Sequence, residues 1–326
     1  MAHDVTLLPG EAGGNPRILD ATLELIAATG VEIAWDVHPT RDHELTDAFL
    51  ASARRTGLVL LPFLRGKRDV GLPAPIVQIR RALGCYANVR PVHALPGLNE
   101  RFPELDVIVV RETSEDIYTG FEHESVKGMF EGLKVTTEAA CERIARYAFE
   151  LARAQGRRKV TTVHKSNIMK KSDGLFLRTA QRVATEYPDI EHDERIVDAL
   201  CMQLVMYPER FDILLCANLF GDIVADLAAG IGGGRGNCPS MNHSSEGVRI
   251  FSVGHGDDLD VENSERANPM SLLFSSVLML RELGEADAAD RLMAAVTGAL
   301  EAGVRPVLSG GSADLATFSA AVRERL

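Results

Sequence analysis

The sequence predicts an α/β protein, and two observations carry this prediction. Strand-like and helix-like runs alternate along the 326 residues, which is the pattern of sheets flanked by helices. Several strand-like runs are continuously apolar rather than alternating, which is typical of parallel strands buried on both faces. The length and the 46% hydrophobic content suffice for one large domain or two medium ones with a buried core.

The predicted elements follow in order along the chain. The strand-like runs are DVTLLPG, VEIAWDV, LVLLP, LDVIVVR, KVTTVHK and FDILLCANLF. The helix-like runs are 16–30, 42–55, 137–155, 172–187, 222–230, 269–283 and 286–302. Pro16 and Gly30 favour the first helix, because proline suits a first turn and glycine ends a helix. No Pro- or Ser-rich linker divides the chain, so a two-domain protein would cross between its domains more than once.

Charge and composition exclude several classes of protein. The net charge of −11 argues against sequence-independent nucleic-acid binding, which needs a basic footprint. No apolar run approaches the ~18 residues of a membrane span, and the N-terminal segment lacks the pattern of a signal peptide. The five cysteines are scattered without a CxxC pair, which fits reduced thiols better than disulfides or a zinc site. We therefore expect a cytoplasmic protein without nucleic-acid or membrane partners.

Two aspartates lie four residues apart in the predicted helix ANLFGDIVADLAAG. Asp222 and Asp226 would share one helix face among apolar neighbours, where two carboxylates favour a bound cation. Mg²⁺ or Mn²⁺ is the natural partner of such oxygen ligands. Solvent exposure of both side chains is the alternative. Asp198 would supply a third carboxylate, or would cap a helix or face solvent.

Three arginines and two proton-transfer side chains complete the polar pattern. Arg111 follows a buried strand, and the carboxyl ends of strands are where open α/β sheets bind ligands. Together with Arg80 and Arg90 it would suit a di- or tricarboxylate, because arginine binds carboxylates with two hydrogen bonds. Surface ion pairs are the alternative. Lys165 follows another strand, and both it and Tyr118 can transfer protons, although each could equally be structural.

The signals for a nucleotide are weak. No GxGxxG motif follows a first strand, so a standard Rossmann site is not supported. Glycine-rich stretches at 230–237 and 254–258 would permit close approach to phosphates, or are ordinary turns. Asp260 follows the second stretch. A carboxylate there would accept hydrogen bonds from ribose hydroxyls and repel a 2′-phosphate, which favours NAD over NADP.

Long motifs, taken together and in order, resemble the isocitrate/isopropylmalate dehydrogenase family over nearly the whole chain. They are YANVRPV, VVRETSEDIYTGFEH, VHKSNIMKKSDGLFL, FDILLCANLFGDIVADLAAG and ANP at 267–269. The resemblance implies a two-domain, non-Rossmann α/β fold in a homodimer whose active sites are shared between chains. It implies a large cofactor-binding domain at 1–88 and 235–326. It also implies a small domain at 89–234 with the metal site and the dimer interface.

The resemblance also assigns roles to matching positions. Substrate contacts would come from Ile76, Arg80, Arg90 and Arg111. Ligands for Mg²⁺ or Mn²⁺ would be Asp222 and Asp226, with Asp198 from the partner chain. Lys165, also from the partner, would assist proton removal from the 2-hydroxyl, and Tyr118 would protonate the enol left by decarboxylation. The NAD segment would include His255, Gly256, Asp260, Val261 and Asn268. The implied reaction is NAD-dependent oxidative decarboxylation of a 3-carboxy-2-hydroxy acid, closest to isocitrate or homoisocitrate.

Several loops depart from the family pattern. The first loop reads GEAGGNP where the family has GDGIGPE, and HGDDLDV replaces HGSAPDI. Ala74 and Ile76 occupy the isocitrate-type serine and asparagine positions, and Ile76 resembles the apolar isopropylmalate-type pocket. The stretch PFLRGKRDVGLP is basic and shortened. Its charges, at Arg65, Lys67 and Arg68, lead to the hypothesis of a strongly anionic γ-group such as a phosphonate; a solvated loop is the alternative.

Two other functions are compatible with the sequence. A non-catalytic regulatory subunit of the same family would be expected to lose metal or base residues, whereas Tyr118, Lys165, Asp198, Asp222 and Asp226 are all present. A related dehydrogenase of tartrate or D-malate would keep these residues. Substrate profiling would separate that enzyme from one acting on tricarboxylates.

Overall fold

The computed structural model describes residues 2–9, 16–39, 45–64, 74–254 and 267–326. In these residues helices and strands alternate, so the predicted α/β class is confirmed. The strands are β1 (His3–Leu7), β2 (Ile33–Val37), β3 (Leu58–Leu61), β4 (Cys85–His93), β5 (Asp106–Glu112), β6 (Glu122–Val126), β7 (Met129–Gly132), β8 (Lys159–His164), β9 (Glu191–Ile196), β10 (Ile213–Cys216), β11 (Pro239–Ser244) and β12 (Arg249–Val253). The helices are α1 (Pro16–Ala28), α2 (Asp47–Thr56), α3 (Pro75–Ala82), α4 (Glu138–Ala154), α5 (Ser172–Ala184), α6 (Val197–Met206), α7 (Asn218–Ile231), α8 (Met270–Glu282), α9 (Ala286–Glu301) and α10 (Leu315–Arg323).

Several predicted boundaries are wrong. Helix α2 begins at Asp47 rather than at residue 42, because Thr46 is its N-cap and accepts a hydrogen bond from the Phe49 N–H at 3.2 Å. Strand β10 ends at Cys216 and α7 begins at Asn218, whereas the sequence predicted strand through residue 220 and helix from 222. A continuous apolar run does not show where a buried strand becomes a buried helix.

The chain divides into two compact units. The first comprises Met1–Gly84, Ala94–Pro103 and Gly232–Leu326, and the second comprises Cys85–His93 and Glu104–Ile231. The chain therefore passes from one unit to the other more than once. The assignment of cofactor binding to one domain and of metal and dimer contacts to the other stays a prediction.

The first unit contains the neighbouring strands β2-β1-β3-β12-β11. The pairs β1–β2, β1–β3 and β3–β12 are parallel, and β11 runs antiparallel to β12. Its core lies where α8, α9 and α10 pack together. Buried side chains there include Leu273, Val277, Leu292 and Phe318. Nearly every residue of α8 is buried, which explains its continuous apolar sequence.

The second unit contains the neighbouring strands β4-β5-β10-β8-β9. The strands β5, β10, β8 and β9 are mutually parallel, and β4 runs antiparallel to β5. Helices α4 and α7 pack against β5, and α5 packs against β8. The parallel arrangement brings the carboxyl ends of four strands to one edge of the sheet.

A separate antiparallel hairpin, β6–β7, belongs to the second unit, and all of its residues are exposed. Among the described residues, no helix combines the length and the apolar character needed to cross a lipid bilayer.

Candidate active site

The polar residues singled out in the second unit gather at the carboxyl edge of its parallel strands. Arg111 lies near the end of β5, and Asp222 lies on α7, which follows β10. Lys165 directly follows β8, and Asp198 lies in the first turn of α6, which follows β9. This edge is where open α/β sheets place their ligands.

Arg111 is fixed by its surroundings. Its side chain is 4% exposed, and its Nε and Nη2 donate to Asn218 Oδ1 at 3.0 and 2.7 Å. Its Nη1 donates to Asp222 Oδ1, and the guanidinium carbon lies 5.0 Å from the centre of the Tyr118 ring. A buried guanidinium with several hydrogen-bonded partners holds one orientation.

Tyr118 lies in a short 3₁₀ turn, Ile117–Thr119, after β5. Its hydroxyl donates a hydrogen bond to Asp222 Oδ2. Partial burial raises the pKa of Tyr118 above its usual value, and the hydrogen bond to Asp222 raises it further, against the opposing charge of Arg111. The phenol, the Asp222 carboxylate and the Arg111 guanidinium therefore form one connected group.

Asp226 lies one helical turn beyond Asp222 and is paired with Arg90 of β4. Arg90 Nη1 donates to Asp226 Oδ1 at 2.9 Å. The side chains of Asp222 and Asp226 are 39% and 41% exposed, so both carboxylates are accessible although each has an arginine partner. Carboxylate oxygens on one helix face are the donor set that Mg²⁺ and Mn²⁺ prefer, so the residues fit the predicted ion.

Asp222 and Asp226 supply two of the three carboxylates that the sequence predicts for the metal ion. Among the described residues, no group of three or more histidine, cysteine, aspartate or glutamate side chains is arranged to hold a metal ion. Asp198 instead forms an ion pair with Lys165 Nζ, and its side chain is 69% exposed. The structure thus places the predicted residues of the second unit in two groups. One holds Arg90, Arg111, Tyr118, Asp222 and Asp226, and the other holds Lys165 and Asp198.

The remaining predicted residues belong to the first unit or lie outside the described residues. Ile76 and Arg80 are one turn apart on α3, and both are half-buried. Asn268 is buried, and its Nδ2 donates to Gly236 O, Asn237 Oδ1 and Ser309 Oγ at 2.8–3.1 Å, which ties three segments together. The residues outside the described ranges are His255, Gly256, Asp260, Val261, Arg65, Lys67 and Arg68.

Sequence reasoning missed the residues that hold the arginine. Asn218 falls within a predicted strand, although its side chain also donates to Glu115 O at 2.8 Å and so connects α7 to the loop after β5. Gly221 leaves the space that the Arg111 side chain occupies, because a Cβ there would lie 2.5 Å from Arg111 Cγ. The glycine directly before Asp222 was the available signal, since glycine inside a helix marks close approach.

Known proteins are similar to this chain in both sequence and fold. The family model for isocitrate/isopropylmalate dehydrogenase matches residues 6–322. The chain is 38% identical over 334 residues to the mitochondrial isocitrate dehydrogenase [NAD] catalytic subunit 5 of Arabidopsis thaliana, covering 98% of this chain and 88% of the relative. It is also 38% identical over 307 residues to a mitochondrial regulatory subunit of the NAD isocitrate dehydrogenase of Dictyostelium discoideum, covering 92% and 84%. The crystal structure of isocitrate dehydrogenase from Methylococcus capsulatus matches with a TM-score of 0.91 and 40% identity over 99% of both chains.

These similarities, with the fold, define a dehydrogenase of the decarboxylating class that acts on a CH–OH group. The chain belongs to the isocitrate/isopropylmalate dehydrogenase family. The resemblance drawn from its motifs is therefore confirmed, and the roles of individual residues stay predictions.

Proposed function

We propose that the chain catalyses the NAD-dependent oxidative decarboxylation of an isocitrate- or homoisocitrate-like acid to a 2-oxo acid, CO₂ and NADH. The observation that carries the proposal is that two successive turns of α7 hold two hydrogen-bonded sets, Arg111–Asp222–Tyr118 and Arg90–Asp226. These residues include two arginines that can bind substrate carboxylates and a tyrosine that can donate a proton. They also include two aspartates of the kind that bind Mg²⁺ or Mn²⁺.

Each side chain has a task in this reaction. Arg90 and Arg111 bind substrate carboxylates, and the bonds from Arg111 to Asn218 fix its guanidinium before substrate arrives. Lys165 of a second chain accepts the hydroxyl proton, and Tyr118 donates a proton to the carbon that CO₂ leaves. A bound Mg²⁺ or Mn²⁺ would supply charge stabilisation at the hydroxyl and its neighbouring carboxylate, and NAD would accept the hydride.

Similarity alone does not separate a catalytic from a regulatory subunit, because the chain is 38% identical to relatives of both kinds. The side chains favour catalysis. Tyr118 donates a hydrogen bond to Asp222, and Lys165 forms an ion pair with Asp198. The residues expected to transfer protons and to bind the metal ion are therefore present, and each contacts a charged side chain.

A homodimer is part of the proposal, and exposed apolar side chains of α6 and of the hairpin β6–β7 support it. Helix α6 carries Met202 and Met206, which are 56% and 46% exposed, on the turns that follow Asp198. The hairpin β6–β7 exposes Phe130 at 74%. Met202 and Met206 lie one helical turn apart, and adjacent exposed apolar side chains favour a protein contact on that face of α6. If a second copy packs on α6, Asp198 and Lys165 of the first chain would lie next to Asp222 and Asp226 of the second.

A spectrophotometric screen tests the function. The purified protein would be offered isocitrate, homoisocitrate, 3-isopropylmalate, D-malate, tartrate and a phosphonomethylmalate-type analogue, each with NAD or NADP and with Mg²⁺ or Mn²⁺. We expect one of the first two to reduce NAD, with the activity lost in EDTA and in Asp222→Asn. Folded dimer that reduces neither cofactor with any of these acids would overturn the proposal in favour of a regulatory subunit.

A further inference from the structure

Lys134, between β7 and α4, lies among two buried carboxylates and an aromatic ring. Its Nζ is 2.7 Å from Asp173 Oδ1 and 3.5 Å from Asp116 Oδ2. The two aspartate side chains are only 2–3% exposed, and the lysine side chain is 15% exposed. Nζ also lies 5.0 Å from the centre of the Phe220 ring on α7. One cation therefore contacts the loop after β5, the start of α5 and the helix that carries Asp222.

Asp116 fixes the turn that holds Tyr118. It has φ 77° and ψ −154°, and it is the one non-glycine residue with positive φ in the part of the chain that the structure describes. A backbone in that region persists only when its surroundings hold it. Oδ1 accepts a hydrogen bond from Ile117 N at 2.8 Å, and Oδ2 accepts one from Leu219 N at 3.2 Å. These bonds join the Tyr118 turn to the start of α7.

Asp173 fixes the backbone of Lys165 in the same way. Its Oδ2 accepts a hydrogen bond from the Lys165 N–H at 2.7 Å, while its Oδ1 faces Lys134. Lys165 is the first residue after β8, so this bond sets the direction in which its side chain leaves the strand. The Asp116–Lys134–Asp173 network therefore reaches the turn that holds Tyr118 at one end and the backbone of Lys165 at the other. Both of these residues transfer protons in the proposed reaction.

We propose that Lys134 is a positioning residue that couples the Tyr118 turn to the Lys165 loop within one chain. The proposal rests on the function proposed above, in which Tyr118 serves the active site of its own chain and Lys165 serves that of the partner. The buried network then fixes one proton-transfer side chain in each of the two active sites of a dimer. An unpaired Asp116 and Asp173 would repel each other, so loss of the cation loosens both loops.

Hydrogen exchange tests the coupling without any turnover. Lys134→Met keeps the length of the side chain and removes its charge. We expect amide exchange in the variant to be about tenfold faster or more in both 113–119 and 164–171. Acceleration of only one of these segments, or of neither, would overturn the proposal. Because hydrogen exchange needs no substrate, this experiment tests the coupling of the two loops even if the substrate screen fails.

A matched control comes from Lys159, at the opposite end of β8. Its Nζ lies 2.8 Å from Asp193 and 3.3 Å from Glu191, and its side chain is 20% exposed. Lys159→Met therefore removes a double ion pair from a lysine of similar exposure, with more exposed carboxylate partners and no contact to either loop. It should leave both segments at the wild-type rate. If Lys134→Met does not fold, Asp173→Asn replaces it. Asp173→Asn keeps the size of the side chain, loses the pairing with Lys134, and should accelerate the same two segments.

Kinetics on the substrate found by the screen separate positioning from general weakening. Misplacing a reacting group by about 1 Å costs up to about 100-fold in rate. We expect kcat of Lys134→Met to fall about 10- to 100-fold, with KM for substrate and for NAD within about threefold of wild type, since Lys134 touches neither Arg90 nor Arg111. Equal kinetic losses in Lys134→Met and Lys159→Met would show ordinary destabilisation and would overturn the positioning role.

Discussion

The side chain of Arg111 occupies the space directly beside Gly221. A Cβ added to Gly221 would lie 2.7 Å from Arg111 Cβ and 2.5 Å from its Cγ, distances that real atoms do not share. The arginine has little room to move, because Asn218 and Asp222 hold its guanidinium. Helix α7 therefore requires glycine at the position before Asp222.

We predict that Gly221→Ala lowers kcat/KM by about 10- to 100-fold, because the displaced guanidinium no longer meets the substrate carboxylate in its bound orientation. Steady-state kinetics would measure the loss. Gly230→Ala is the matched control on the same helix, since nothing lies within 4 Å of a Cβ there. It should keep full activity and raise the free energy of unfolding by about 0.4–1 kcal/mol. Equal activity in the two variants would contradict the prediction.

Subunit mixing tests whether active sites are shared. Lys165→Met and Asp222→Asn homodimers are each expected to be inactive, because every site lacks one essential residue. In a dimer that contains one chain of each variant, one active site carries both substitutions and the other carries neither. Co-refolding of equal amounts should therefore restore about a quarter of wild-type activity. Activity that stays at the level of the separate variants, in preparations shown by mass spectrometry to contain mixed dimers, would place both residues in the same chain's site.

The metal prediction is independent of turnover. We expect Asp226→Asn to weaken Mn²⁺ binding at least about tenfold, because a neutral amide replaces a charged ligand and leaves Arg90 without its carboxylate. Titration followed by electron paramagnetic resonance would give the dissociation constant. Asp189→Asn is the control, since Asp189 is also a half-exposed aspartate paired with an arginine, Arg153. A similar weakening in both variants would show that α7 is not the binding element.

His243 on β11 makes the folded state sensitive to acid. Burial, together with the neighbouring charge of Arg249, lowers the pKa of His243 to about 4. The unfolded chain takes up this proton near pH 6.5, so the contribution to stability is complete above about pH 6.5 and is lost as pH falls towards 4. We expect the melting temperature of His243→Gln to fall less between pH 7.5 and pH 5 than that of the wild type. Circular dichroism would measure both, and parallel losses would contradict the assignment.

The sequence predicted the elements whose patterns are local. The apolar runs of β5, β8 and β10 and the helical spacing of Asp222 and Asp226 can be read within about ten residues, and all are present in the structure. Strand β9 was missed because its sequence, Glu-His-Asp-Glu-Arg-Ile, is charged rather than apolar. Its strand conformation comes from pairing with β8, which no local pattern reports.

The contacts within the site were beyond sequence reasoning for a related reason. Arg111 and Asn218 are 107 positions apart, and a helical period shows which residues share a face but not which faces meet. Lys134 lies between two recognisable elements, and nothing near it in the chain indicates a buried ion pair. The long family motifs marked Arg111 and Tyr118 as a unit, whereas the partners that orient them became visible only through the fold.

The exposed hairpin β6–β7 bears on how readily a single chain is cleaved by proteases. A two-stranded hairpin with no covered face is marginally stable in water. We therefore expect proteases to cleave this hairpin readily in a single chain. In the proposed homodimer, a second copy packed on Phe130 would protect it, so sensitivity to protease would report whether the chain has assembled.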